Sequence, residues 1–228
     1  MTRNHDHRPT TTSADAFLAR VRASLNAGPR TPSPAPDADD ELVRLLHPDA
    51  DLVNTFVDRA TAAGMKITRT RADQSAAVLA DVLARLKAAR AAVVCGRAET
   101  RAIAEHAAAS ARTEIVVTPA RPGLEAHFTA DCGITDVSHA IAESGTLVLS
   151  SDLQGRGAFL VPPVHLAIVP ASLILPDMVD LWGADANPDL PASLVLVSGP
   201  SKTADIEGIL ITGVHGPREV HALLVEDL

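Results

Sequence analysis

Apolar positions along the chain alternate between helical spacing and short unbroken runs, and this alternation defines the predicted elements. From Ala14 to Ala27, Phe17, Leu18, Val21 and Leu25 fall on one helical face behind Ser13, a residue suited to capping a first turn. Gly28 to Asp40, with four prolines and an acidic end, reads as a linker. Leu42, Leu45, Leu46, Leu52, Val53, Phe56 and Val57 predict a helix or helix pair over Glu41–Ala63, broken near His47-Pro48 and ended by Gly64. A strand at Met65–Thr70 precedes a helix at Asp73–Ala89, whose Ala77, Val78, Val82, Leu83 and Leu86 share a face. A buried strand at Ala91–Cys95, a helix at Glu99–Ser110 and a strand at Glu114–Thr118 follow, the order of parallel βαβ units.

The second half predicts short strands at 140–143, 146–150, 165–169, 194–198, 208–212 and 220–225, with a helix at Leu175–Gly183. The economical architecture is α/β, a parallel or mixed sheet flanked by helices. Residues 1–40 form a tail, helix and Pro-rich linker, and 41–228 the main domain, with no internal repeat.

Composition narrows the chemistry. The 228 residues carry 20 basic and 28 acidic side chains, net −8, and no stretch joins Lys and Arg to aromatics, so nucleic acid is not an expected partner. Four Phe, one Trp and no Tyr leave few rings for stacking. No apolar run approaches a membrane span, and the absence of an apolar signal core points to the cytoplasm. Cys95 and Cys132 have neither C-x-x-C nor zinc-ligand spacing, so no metal or iron–sulfur cofactor is expected in this chain. His5 and His7 lack further ligands and read as part of a solvated tail.

Polar chemistry concentrates in three stretches. Between two apolar segments, Glu143-Ser144-Gly145-Thr146 is either a tight turn using Gly145 at positive φ, or a carboxylate at the rim of an open sheet, where ligands of α/β proteins collect. Ser198-Gly199-Pro200-Ser201-Lys202-Thr203-Ala204-Asp205 lacks the glycines of a phosphate-binding P-loop. Its Gly-Pro turn, two hydroxyls and ammonium can still hold a carboxylate or phosphate, or it is a capped helix start with Lys202 in solvent. In Gly213-Val214-His215-Gly216-Pro217, glycines flank a histidine able to move a proton or donate to an anion. His165, after Pro162-Pro163, and His139 have ordinary structural readings as hydrogen-bonded histidines. No nucleophile elbow or triad is legible.

The motifs I-A-E-S-G-T-L-V-L at 141–149, L-V-P-P-V-H-L-A-I-V-P at 160–170, S-G-P-S-K-T-A-D-I-E at 198–207 and G-V-H-G-P at 213–217 resemble, in this order, the LUD domain. The resemblance implies a fold like that of the NagB/RpiA/CoA-transferase group. It also implies a part in bacterial oxidation of L-lactate to pyruvate beside iron–sulfur partner proteins, this chain being the redox-silent component. The motif positions it implies are Glu143, Ser144, Gly145 and Thr146, then His165, then Gly199, Ser201, Lys202, Thr203, Asp205 and Glu207, and last His215, Gly216 and Pro217. Ser144 stands where Thr is also familiar, and keeps the hydroxyl. From these follows an expected anion pocket with charge from Lys202, hydroxyls from Ser201 and Thr203, and a further donor in His215. A rim glutamate is the nucleophile in related CoA-transferases, which makes Glu143, with His215, the candidate catalytic residues of an alternative, self-sufficient transferase-like or sugar-phosphate isomerase-like enzyme. A protein-interaction module is the remaining alternative.

Overall fold

The computed structural model describes residues 13–26, 44–47, 49–118, 124–151, 156–182, 191–204 and 210–228. Residues 1–39 and 40–228 are separate compact units. In the first, helix α1 (Ala14–Asn26) begins where the Ser13 hydroxyl accepts the Ala16 N–H, and its Phe17, Leu18, Val21 and Leu25 are exposed. His5, His7 and the linker at 28–40 lie outside the described residues.

The second unit carries the α/β architecture. Its first helix, α2 (Leu52–Ala62), starts later than the apolar pattern predicts, because the Asp51 carboxylate caps the Asn54 N–H and fixes the helix start there. Strand β1 (Lys66–Thr70), helix α3 (Ala72–Leu86), strand β2 (Arg90–Val94), helix α4 (Ala98–Ala111) and strand β3 (Glu114–Val117) follow in βαβ order. The α3 core face is Ser75, Leu79, Val82 and Leu83; Ala77 points to solvent, about half a turn around the helix from Ser75 and Leu79. After α5 (Leu124–Thr129) comes a strand the hydrophobic pattern did not predict, β4 (Cys132–Asp136). The rest comprises β5 (His139–Ile141), β6 (Thr146–Ser150), α6 (Gly157–Leu160), β7 (Val164–Pro170), β8 (Ile174–Leu175), α7 (Met178–Trp182), β9 (Leu194–Val197), β10 (Lys202–Ala204), β11 (Leu210–Thr212) and β12 (Glu219–Val225).

Six strands form one wholly parallel sheet in the order β1-β12-β7-β4-β2-β3. Alternate residues of each strand face opposite layers. One face packs Leu166, Ile168, Leu223 and Val225 on Leu79, Val82 and Leu83 of α3 and Ala104 and Ala107 of α4. The other packs Ala167, Val169, Ala222 and Leu224 under Phe56 and Ala60 of α2 and under a second, mixed sheet, β8-β5-β6-β9. β10 and β11 form a separate antiparallel hairpin. The expected helix at Leu175–Gly183 is shorter: Pro176 holds Leu175 extended, where it pairs with Ile141, and the Asp177 carboxylate then caps α7 through Val179 and Asp180.

Candidate functional site

The loops carrying the motifs gather at the C-terminal end of α2 and at the rim where the parallel strands begin. Gly145, at φ +63°, closes the β5–β6 turn against α2 so tightly that a Cβ there would stand 2.2 Å from the Ala60 nitrogen. Gly199, at φ +105°, meets the same helix end, a Cβ there reaching to 2.5 Å from the Ala63 carbonyl oxygen. These two positions demand glycine both for backbone conformation and for space. Between the loops, the Thr146 hydroxyl bonds the Ser198 hydroxyl at 2.7 Å and the Ser144 hydroxyl at 2.8 Å. Lys202 Nζ donates to the Ala63 carbonyl at 3.2 Å, setting a cation on the negative end of the α2 dipole.

The third loop interlocks with the second through the backbone. Ser201 donates its N–H to the Pro217 carbonyl at 2.9 Å and accepts from Gly213 N–H at 2.8 Å, while Gly216 lies against the Ser201 side chain. Lys202 and Thr203 open β10, which pairs with β11; a strand, not a capped helix, follows the Gly-Pro turn. His215 is exposed on its loop, and Arg218 N–H ties the start of β12 to the Pro163 carbonyl. Asp205 and Glu207 lie outside the described residues.

At two motif residues the structure takes the plainer of the readings the sequence leaves open. Glu143 is half-buried in the turn of the mixed sheet, its N–H bonded to Pro176 O, rather than at the rim of the parallel sheet, because the chain leaves the parallel sheet after β4 and enters the mixed sheet with β5. His165 is fully buried in β7, its Nε2 2.9 Å from the Thr135 hydroxyl and its Nδ1 without a partner among the described residues. Burial, with His221 nearby, pushes its imidazole down to about 3, so it is neutral and belongs to the core.

The strand ends hold a polar cluster that the motifs did not indicate. β2 leads outward to β3 and β4 leads the other way to β7, so the crevice between their C-terminal ends is the topological switch point. There the buried Asp136 carboxylate accepts the Gly96 and Arg97 N–H groups and the Thr100 hydroxyl. The Arg97 guanidinium donates to the Val137 and Ser138 carbonyls, and His139 is pushed down by burial and by Arg97. The α4 N-terminus is thereby filled by an internal carboxylate. Gly96 after an apolar strand was the only sequence signal for it. Cys95 and Cys132 are buried, burial pushing both thiols up, Cys132 to about 12.

The LUD domain family model matches residues 53–225, and the chain belongs to that family. Among curated relatives, it is similar to lactate utilization protein C 1 of Bacillus mycoides (strain KBAB4), 44% identical over 104 residues, a match spanning 43% of this chain and 44% of that relative's length. Lactate utilization protein C of Anoxybacillus flavithermus (strain DSM 21510 / WK1) is 28% identical over 93% of this chain and 99% of its own. The crystal structure of a DUF162 family protein from Deinococcus radiodurans shares the fold at 21% identity, with a TM-score of 0.53 over 77% of this chain and 96% of that one. Among the described residues, no helix is long and apolar enough to cross a membrane.

Proposed function

We propose that this chain serves lactate utilization as a redox-silent accessory to iron–sulfur partner proteins, with residues 41–228 as the working domain. In this reading its interlocked loops bind a small carboxylate or phosphate. The names of its relatives support the physiological part. The observation that carries the binding part is the joining of the loops: Thr146 to Ser198, and Ser201 to both Gly213 and Pro217. Lys202 gives one N–H to Ala63 and keeps two for an anion, with the Ser201 and Thr203 hydroxyls on the same short segment. Lactate and pyruvate are carboxylates of the right size for such a site. Two buried thiols, held protonated, suit a component that passes no electrons itself.

Calorimetric titration of the full chain with L-lactate and with pyruvate tests the pocket. The expected result is binding that Lys202→Ala weakens by about tenfold, the loss of one charged hydrogen bond. Heats that are the same in the wild type and in Lys202→Ala reject it. For the physiological part, deletion of the coding sequence is expected to abolish growth on L-lactate, restored by the wild-type chain and not by Lys202→Ala.

A further inference from the structure

On the sheet face opposite α2, the first residues of β1 and β12 open onto a cleft of about 420 Å³ lined by Lys66, Thr68, Val82, Arg85, Glu219 and His221. The register explains its polarity. Lys66 pairs with His221 and Thr68 with Leu223, so these side chains share the α3 face with Leu223 and Val225. Toward the strands' C-terminal ends that face is sealed by Leu79, Val82 and Leu83. At the strands' beginnings the last turn of α3 offers Arg85 instead, and the apolar layer gives way to charge.

Glu219 Oε2 takes two donors, Lys66 Nζ at 2.6 Å and His221 Nε2 at 3.1 Å. Both bonds hold the Glu219 carboxyl below its ordinary range, and it is ionised. His221 is pushed down by burial, with the cations of Lys66 on β1 and Arg85 on α3 acting in the same direction and Glu219 on β12 opposing; His165 on β7 lies on the other face of the sheet. The imidazole is therefore neutral at pH 7. Its one proton sits on Nε2, where Glu219 accepts it, and Nδ1 presents a lone pair with no partner among the described residues. Arg85, exposed at the mouth, forms no ion pair among them either. The Arg85 guanidinium, unpaired among the described residues, the His221 imidazole, Thr68 and the apolar side chain of Val82 thus line one space.

We propose that this cleft binds a small hydroxylated organic anion, its carboxylate or phosphate paired with Arg85 and Lys66 and its hydroxyl donating to His221 Nδ1. The volume falls within the range of small-molecule sites. Neither Lys202 nor Glu143 nor His215 lines it, so it is a second site, independent of the loops at the end of α2.

The test is the nitrogen resonance of His221 Nδ1 in the full chain, titrated separately with glycerol 3-phosphate and L-lactate, which share the hydroxyl and differ in the anion. Saturable movement with either probe is the expected result, and the probe that saturates at the lower concentration identifies phosphate or carboxylate as the group held. Arg85→Gln, an exposed position whose replacement leaves the core intact, is expected to raise the half-saturating concentration by about tenfold. No movement with either probe, or an Arg85→Gln midpoint equal to that of the wild type, overturns the proposal. Because the signal arises inside the cleft, this result is separable from the Lys202 titration.

Discussion

Gly133 lies where β4 and α6 approach so closely that a Cβ would stand 1.6 Å from the Ala158 carbonyl oxygen. Backbone cannot yield as a side-chain tip can, so Gly133→Ala is expected to cost about 3 kcal/mol by overpacking, read as a lower urea midpoint at unchanged slope. His165 poses a different single-residue problem. Whichever of Thr135 Oγ1 and Nε2 donates, Nδ1 remains a buried polar atom without a partner among the described residues. Thr135→Val removes the one bond the ring makes and is expected to cost about 1–3 kcal/mol, whereas Thr135→Val with His165→Leu recovers most of that loss by removing both polar groups. Chemical denaturation of both variants decides; a double variant as unstable as the single one would show that the imidazole contributes through packing alone.

Helices α3 and α4 were legible because four turns of amphipathic repeat over-determine a face, so that even with Ala77 misplaced the buried ridge of Val82 and Leu83 stood out. The central strand β4 was not, since Cys-Gly-Ile-Thr-Asp shows neither alternation nor an unbroken apolar run. Its burial is imposed from outside, by α6 over Gly133 and by Asp136 turning in to cap α4, and no local period encodes such contacts. The same holds for the motifs: their hydroxyls, amine and glycines could be read as chemistry, but that Gly145, Gly199 and Lys202 all meet the end of α2 depends on how the mixed sheet folds over the parallel one. Helix α7 shows the local rule winning, because Pro176 and Asp177 set its start. Arg44 bonds both Asp177 and Asp180 there, so Asp177→Ala removes a cap and an ion-pair partner together. The expected cost is about 1–2 kcal/mol, and protection of the Val179 amide in hydrogen exchange should fall with it.

Across the whole molecule, the titrating groups confine stability to a band of pH. His165, His139 and His221 are all lowered from an ordinary value of 6.5, chiefly by burial. Below 6.5 the unfolded chain therefore binds protons that the folded chain refuses. Their contribution is complete above that pH and is lost as pH falls, for His165 down to about 3, at a slope near about 1.4 kcal/mol per pH unit. Asp180 and Glu219, lowered by Arg44 and by Lys66 with His221, add to the loss at the acid end. The thiols act at the other end. Cys132 is raised from 9.0 to about 12 and Cys95 is also raised, so the folded chain holds thiol protons that the unfolded chain gives up, and stability falls as pH rises past 9.0. Urea midpoints are thus expected to form a plateau between about pH 6.5 and pH 9 with a fall on each side. The arms have different owners, which makes the attribution testable: Thr135→Val/His165→Leu should flatten the acid arm and leave the alkaline one, and Cys132→Ala should do the reverse. An acid arm of undiminished slope in the double variant would assign the loss to the carboxylates and the other two histidines instead.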